Sequence, residues 1–256
     1  MKALLWDVDG TLAETERDGH RVAFNLAFAE RGLPWTWSES HYGRLLSVTG
    51  GRERLLHDMA TRADAPVPAA QREALAAELH ARKNQLYAER VAAGAVQLRP
   101  GVAELIDEAC SAGLQLAITT TTSRANVDAL LTATLGRAWR SRFAAVLCGE
   151  DVARKKPDPE VYRRALQALA LAPLDTLAIE DSPGGVAAAR AAQVPVVVTR
   201  SAYFEHATLE DAIAIGPGLG SRRGWRPALP DHGEGRITLA DLSRWRELAG
   251  SVSQIG

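Results

Sequence analysis

Cysteine is nearly absent from this 256-residue chain: only Cys110 and Cys148 occur, without CxxC spacing and without a nearby pair of histidines. That excludes a disulfide framework and a thiolate metal centre. Both read as small core residues, in a reducing cytoplasm. Long apolar runs are also missing. None approaches the roughly eighteen residues of a membrane-crossing helix, and no basic-then-apolar leader opens the sequence, so no membrane partner is expected. Charge of one sign is not in excess: the formal net charge is −1, which argues against nucleic acid as a partner. Lysine is scarce too, with 4 against 26 arginines, yet Lys155 and Lys156 stand side by side. Half of a rare residue type sits in one dipeptide. What is plentiful is apolar material, 46% of the chain, enough for a sizeable core in one large domain or two modest ones. There are no internal repeats and no low-complexity block.

Short β-rich runs alternate with helical patterns. "KALLWDVD" reads as the first strand, followed by "LQLAITT" (114–120), "AAVLCG" (144–149), "TLAIED" (176–181) and "VPVVVT" (194–199). None shows two-residue alternation, which suits strands buried on both faces of a parallel sheet. The intervening segments are helical, with punctuation such as Pro100 before and Gly113 after "GVAELIDEACSAG". The pattern predicts an α/β fold, a doubly wound, Rossmann-like parallel sheet. Residues 15–95 break the rhythm, being helical without a convincing strand, and predict an inserted all-helical cap domain. The core is then 1–14 plus 96–215. Residues 216–256 form a tail, packing on the core or left as loop: a Gly-, Pro- and Arg-rich surface loop to Pro230 and a strand-like "RITLADL". "SRRGWRP" reads as exposed loop, and Trp35 and Trp37 as packing within the cap.

In open parallel sheets, ligands bind beyond the carboxyl ends of the strands. Asp7 and Asp9 end the first strand, Thr120 the second, Lys156 follows the third, and Glu180 and Asp181 end the fourth. Residues two apart in extended chain project to the same side, so Asp7 and Asp9 face one site. Like charges at ~4 Å and an effective dielectric near 20 repel by about 4 kcal/mol per pair. A hard divalent cation reverses that balance, and Mg²⁺ suits few carboxylates plus a phosphate. Lys156 offers a compact ammonium to bridge carboxylate and phosphoryl oxygens, while Lys155 reads as its solvated neighbour. Thr120 and backbone N–H groups at a helix start suit the other phosphoryl oxygens. The constellation points to phosphoryl transfer.

The segments "DVDGT", the threonine of "AITTTTS", "KKPDP" and "IEDSPGG" match in order the four motifs of the haloacid dehalogenase-like superfamily. The resemblance covers residues 1 to about 215, and the helical insertion is similar to the cap of its phosphoglucomutase-like branch. Within that branch, "DVDGTLAETERDGHRVAFN", "TGGRER", "LRPGV", "TTTTS" and "EDSPGGVAAA" resemble the CbbY-type proteins. These are sugar-bisphosphate phosphatases associated with Rubisco and the Calvin cycle, acting on xylulose 1,5-bisphosphate. The turn after Glu16 carries one residue more than the shortest form of the motif, which leaves the facing of His20 open. The tail from 216 onward adds nothing to the resemblance.

The resemblance implies that Asp7 is the nucleophile forming an aspartyl-phosphate, and that Asp9 first protonates the leaving alcohol and then deprotonates water. It implies Mg²⁺ on Asp7, the Asp9 carbonyl oxygen and Asp181, with Glu180 reaching it through water, and Thr120 and Lys156 clamping the phosphoryl group. The cap is expected to read the rest of a sugar (bis)phosphate. Glu16 and His20, four apart, share a helix face and suit sugar hydroxyls or the positioning of Asp9. Gly50 and Gly51 permit close backbone approach, and Arg52 and Arg54 suit a second phosphate. Further lining is expected from Tyr42, Arg44, His80 and Lys83, and around the helix start from Thr121, Thr122, Ser123 and Asn126. A monomer is expected.

Blander assignments exist for each piece: an Asp-Gly turn at Asp9, and helix capping for the acids before Ser182. They do not explain three acid- or lysine-bearing strand ends together with Thr120 at a fourth. Besides a broader sugar-phosphate phosphatase, two functions of other classes remain open at this point. One is a β-phosphoglucomutase-like isomerase with the same core. The other is a sugar-phosphate sensor, disfavoured because every group turnover needs is present.

Overall fold

The computed structural model describes residues 1–209, 211–229 and 235–252. Six strands, β1 (Ala3–Trp6), β2 (Gln115–Thr119), β3 (Ala145–Leu147), β4 (Thr176–Glu180), β5 (Val196–Thr199) and β6 (Ala214–Gly216), form one sheet in the order β3-β2-β1-β4-β5-β6. Every neighbouring pair is parallel. The order reverses at β1, which is where such sheets open a crevice. Alternating side chains leave the two faces: Leu4 and Trp6 join one apolar cluster, Ala3 and Leu5 the other. Helices α5 (Val102–Ser111) and α6 (Arg124–Leu135) cover the first face, and α7 (Glu160–Leu169) and α8 (Pro183–Ala191) the second. Burial on both sides explains why these strands are uniformly apolar.

Between β1 and β2 lie a π-helical turn (Glu16–His20), α1 (Arg21–Glu30), α2 (Glu39–Leu45), α3 (Gly51–Thr61) and α4 (Ala69–Ala92). The chain leaves and re-enters the sheet side by side, with Ala13 and Leu98 joined in an antiparallel bridge. Phe24, Phe28, Trp35, Trp37 and Tyr42 pack as an aromatic cluster among the inserted helices. Trp35 and Trp37 are thus packing residues. No helix among the described residues is long and apolar enough to cross a membrane.

The region after Gly216 departs from the sequence expectation. "RITLADL" is not a strand; α9 spans Leu239–Val252. Thr238 caps it: its hydroxyl accepts from Asp241 N–H while the Asp241 carboxylate accepts from Thr238 N–H, at 3.4 and 3.0 Å. That is the capping box of a helix start. Nor is "SRRGWRP" simply exposed loop. Trp225 is buried and stacks on Trp245 at 4.5 Å, and Arg222 pairs with the buried Asp241. Leu219, Leu229 and Ile237 join the same core. Pro230 and the last residues of the tail lie outside the described residues. β6 was also absent from the sequence reading, and Cys110, expected in the core, is exposed, whereas Cys148 is buried.

Candidate active site

Sheet register brings the core groups to one level. Trp6 pairs with Ile118 on one side and Ile179 on the other, so the next residues, Thr119, Asp7 and Glu180, lie abreast across β2, β1 and β4. Asp7 continues the ladder by donating its N–H to Ile179 O at 3.1 Å. Lys156, from the loop after β3, reaches into this row with all three ammonium donors engaged: Asp7 Oδ1 at 2.7 Å, Glu180 Oε1 at 2.5 Å and Thr119 O at 2.8 Å. A planar guanidinium has no such three-way geometry. Asp7, Lys156, Glu180 and Asp181 are exposed by only 7%, 6%, 0% and 3%.

Asp181 accepts a hydrogen bond from Ser201 Oγ at 2.5 Å, and Glu180 Oε1 accepts a second one from Tyr162. Glu180 Oε2 is buried with no hydrogen-bond partner. Gly10 turns the chain back at φ +86°, and a Cβ there would sit 2.0 Å from Asp181 Oδ2. Only glycine allows the first loop to close on the fourth-strand acid.

Electrostatics show an excess of negative charge. Burial pushes the Asp7 carboxyl up to about 8 against the pull of Lys156, with Glu180 adding to the rise. Burial and the charges of Asp7 and Glu180 push Asp181 well above the carboxylate range. Burial alone would lower the Lys156 ammonium, but those acids hold it well above its usual value. One ammonium does not balance three buried carboxylates. Asp7, Glu180 and Asp181 each offer an oxygen within 4.8 Å of the others. An all-oxygen donor set with an orphaned buried oxygen fits a hard divalent cation.

Asp9 is held differently. Its Oδ1 accepts from Thr15 Oγ1 at 2.5 Å and lies 3.0 Å from His20 Nε2; His20 Nδ1 is 2.9 Å from Lys83 Nζ. Burial would raise the Asp9 carboxyl, but His20 and Thr15 bring it down to about 2. The extra residue after Glu16 is absorbed by the π-helical turn, and His20 still faces Asp9.

Above these groups lies a cleft of about 280 Å³, walled on one side by Thr121, Thr122, Ser123, Asn126 and Lys155 and on the other by inserted-helix residues. The latter include Gly50, Gly51, Arg52, His80 and Lys83, with Glu16, His20 and Arg54 at the inner end. Ser123 caps α6, accepting from Asn126 N–H at 3.3 Å, and Asn126 donates to Thr122 Oγ1 at 3.1 Å. Thr120 is buried, its hydroxyl accepting from Thr122 N–H at 3.2 Å. Burial, then the Lys83 charge, lowers His80 to about 4, and burial lowers Lys83 to about 8.

Two expected lining residues, Tyr42 and Arg44, sit elsewhere, and others at the cleft are already engaged. Tyr42 is fully buried behind the wall, where its hydroxyl donates to Glu16 and accepts from Arg54 at 2.7 Å. Arg54 is therefore committed to that buried cluster. Arg44 is exposed on α2, against Ser40 O and His41, away from the cleft. Arg52 lines the cleft but donates to Glu73 at 2.6 Å. Lys155 is not simply solvated: it lines the cleft and pairs with Glu53 at 2.6 Å, while Thr49 donates to Lys156 O at 3.0 Å. The sequence reading missed Thr15, Tyr162 and Ser201. Tyr162 lies in the first turn of α7, six residues after Lys156.

A family model described as haloacid dehalogenase-like hydrolase matches residues 1–193. Over 251 residues the chain is 47% identical to the plasmid-borne protein CbbY of Cupriavidus necator, covering 97% of this chain and 94% of that one. Among solved structures, CbbY from Rhodobacter sphaeroides in complex with phosphate superposes with a TM-score of 0.77 at 40% identity, over 83% of this chain and 92% of that one. An aspartate-to-asparagine mutant of the same protein, crystallised with xylulose-(1,5)bisphosphate, matches equally well. Motifs, fold and whole-length similarity agree: this chain belongs to the haloacid dehalogenase-like hydrolases and is a phosphatase of the CbbY type.

Proposed function

We propose that the protein hydrolyses a sugar bisphosphate, xylulose 1,5-bisphosphate, to xylulose 5-phosphate and inorganic phosphate, with Asp7 carrying the phosphoryl group between the two halves of the reaction. The observation that carries this reading is the row of Asp7, Lys156 and Glu180, with Asp9 two residues on, beneath a cleft lined by cationic and hydrogen-bonding side chains. The crystallised complex of the R. sphaeroides relative supports the choice of sugar.

Asp7, Asp181 and the Asp9 carbonyl oxygen, with Glu180 behind them, would hold Mg²⁺, which supplies the positive charge that offsets the carboxylates and the phosphoryl oxygens. In the first half, the Asp7 carboxylate attacks phosphorus, the bond from phosphorus to the sugar oxygen breaks, and Asp9 gives that oxygen a proton. In the second, Asp9 takes a proton from water as its oxygen attacks phosphorus, freeing Asp7 and phosphate. With His20 and Thr15 both on Asp9, the carboxylate form is favoured, which suits the second half. The first half calls for an Asp9 released from at least one of them. Lys156 holds the nucleophile in place and offsets charge as it develops. The inserted helices act as a cap, with Arg52 taking the distal phosphate in exchange for Glu73 and the neutral His80 ring facing sugar hydroxyls.

Incubation with Mg²⁺ and either xylulose 1,5-bisphosphate or β-glucose 1-phosphate tests this. Phosphate release from the first is expected. Conversion of the second to glucose 6-phosphate without phosphate release would instead make the protein a mutase.

A further inference from the structure

Arg99 stands where the chain returns from the inserted helices to the sheet, immediately before Pro100. Its side chain is only 11% exposed. One arm of the guanidinium, Nη1, donates to Gly10 O and to Thr199 O at 3.1 Å. The other arm, Nη2, donates to Arg200 O at 2.5 Å and Pro217 O at 2.9 Å. Its Nε lies 3.7 Å from Glu14 Oε1, and its backbone N–H donates to Leu12 O at 2.8 Å. One residue therefore fastens the first loop, the loop after β5 and the start of the tail.

Two of those carbonyls adjoin the site. Gly10 follows Asp9 and packs on Asp181. Arg200 precedes Ser201, whose hydroxyl donates to Asp181. We propose that Arg99 is a positioning residue for phosphoryl transfer: its two arms set the spacing between the Asp9–Gly10 loop and the Ser201 that orients Asp181, and they tie the segment at Pro217 to the same point. A guanidinium can do this because its donors form a rigid fork; a lysine ammonium has three donors on one nitrogen and cannot hold all four carbonyls of Gly10, Thr199, Arg200 and Pro217 at once. The inference rests on the phosphatase reading above. It adds that the tail, which begins beyond the matched residues 1–193, is fastened to the reaction centre through Arg99.

The test compares wild type, Arg99→Lys and Arg99→Ala in phosphate release from a generic aryl phosphate and from xylulose 1,5-bisphosphate. Melting curves are recorded for each, along with hydrogen exchange across residues 8–14. Misplacement of reacting groups by ~1 Å lowers turnover by up to about 100-fold. The expected result is a kcat reduced about 10- to 100-fold in Arg99→Lys with KM nearly unchanged, cooperative melting retained, and faster exchange in residues 8–14. Millimolar guanidinium is expected to restore part of the Arg99→Ala kcat. Wild-type kcat in both variants would overturn the proposal. So would a loss explained entirely by a smaller folded fraction, since Arg99 would then only hold the fold. Wild type inactive on every phosphate ester would sink the phosphatase reading itself, and the proposal with it.

Discussion

Replacing Lys156 with methionine probes the balance of charge at the heart of the site. The ammonium is buried and makes three hydrogen bonds, two of them to carboxylates that have little other compensation. Removing one partner of a buried ion pair typically costs about 3–5 kcal/mol, because the charge left behind is neither solvated nor paired. For a chain of this size that corresponds to roughly 6 to 20 °C in Tm. The pH dependence has a definite sign. Asp7 rises from 3.8 to about 8 on folding, and Asp181 rises too. The folded state then binds more protons than the unfolded one across this window, so stability is retained at low pH and lost as pH rises toward 8. Lys156 pulls Asp7 downward, so its removal moves Asp7 higher still and widens the loss. Urea unfolding of both proteins in chelator, at about pH 5 and about pH 8, measures this directly. The destabilisation by Lys156→Met is expected to be largest at the higher pH, to shrink at the lower, and to be partly recovered by Mg²⁺. A variant as stable as wild type at both, or one whose deficit grows on acidification, would refute the reasoning.

Asp7→Asn keeps the shape but removes both the charge and the nucleophile. It should abolish turnover and raise the metal-free Tm at neutral pH, checked by phosphate release and thermal melting. Arg52→Ala should weaken a bisphosphate far more than a monophosphate in KM; equal losses would place the distal phosphate elsewhere. Tyr162→Phe removes the hydroxyl that donates to Glu180 and should cost about 1–3 kcal/mol in urea unfolding, since a buried carboxylate loses a partner.

The core site was legible because strand ends in a parallel sheet put short, recognisable residue patterns at one edge. Asp7 and Glu180 fall abreast from register alone, and Thr120 follows Thr119 of the same row. The reach of Lys156 into that row followed from its chemistry. What was not legible depends on side chains meeting across distant segments. Tyr42 carried the right chemistry for a sugar phosphate, yet packing turned it away from the cleft onto Glu16, and Arg54, at the cleft, is tied to the Tyr42 hydroxyl. Arg44, two positions from Tyr42, falls on the outer side of a short helix. In the tail, the apolar run of "RITLADL" looked like a strand, although Thr238 and Asp241 already spelled a helix start. β6 is three residues long at the sheet edge, too short for a periodic pattern to announce it. Nothing in "SRRGWRP" signals that its tryptophan stacks on another twenty residues later.

The central claim is that Asp7 itself carries the phosphoryl group. Acid-quenching the protein during turnover of a sugar bisphosphate, reducing any acyl phosphate with borohydride and mapping the peptides by mass spectrometry reads this out. Conversion of the residue at position 7 to homoserine, absent without substrate, is the predicted result. Steady turnover with that position unmodified, or with the product at another acid, would contradict it.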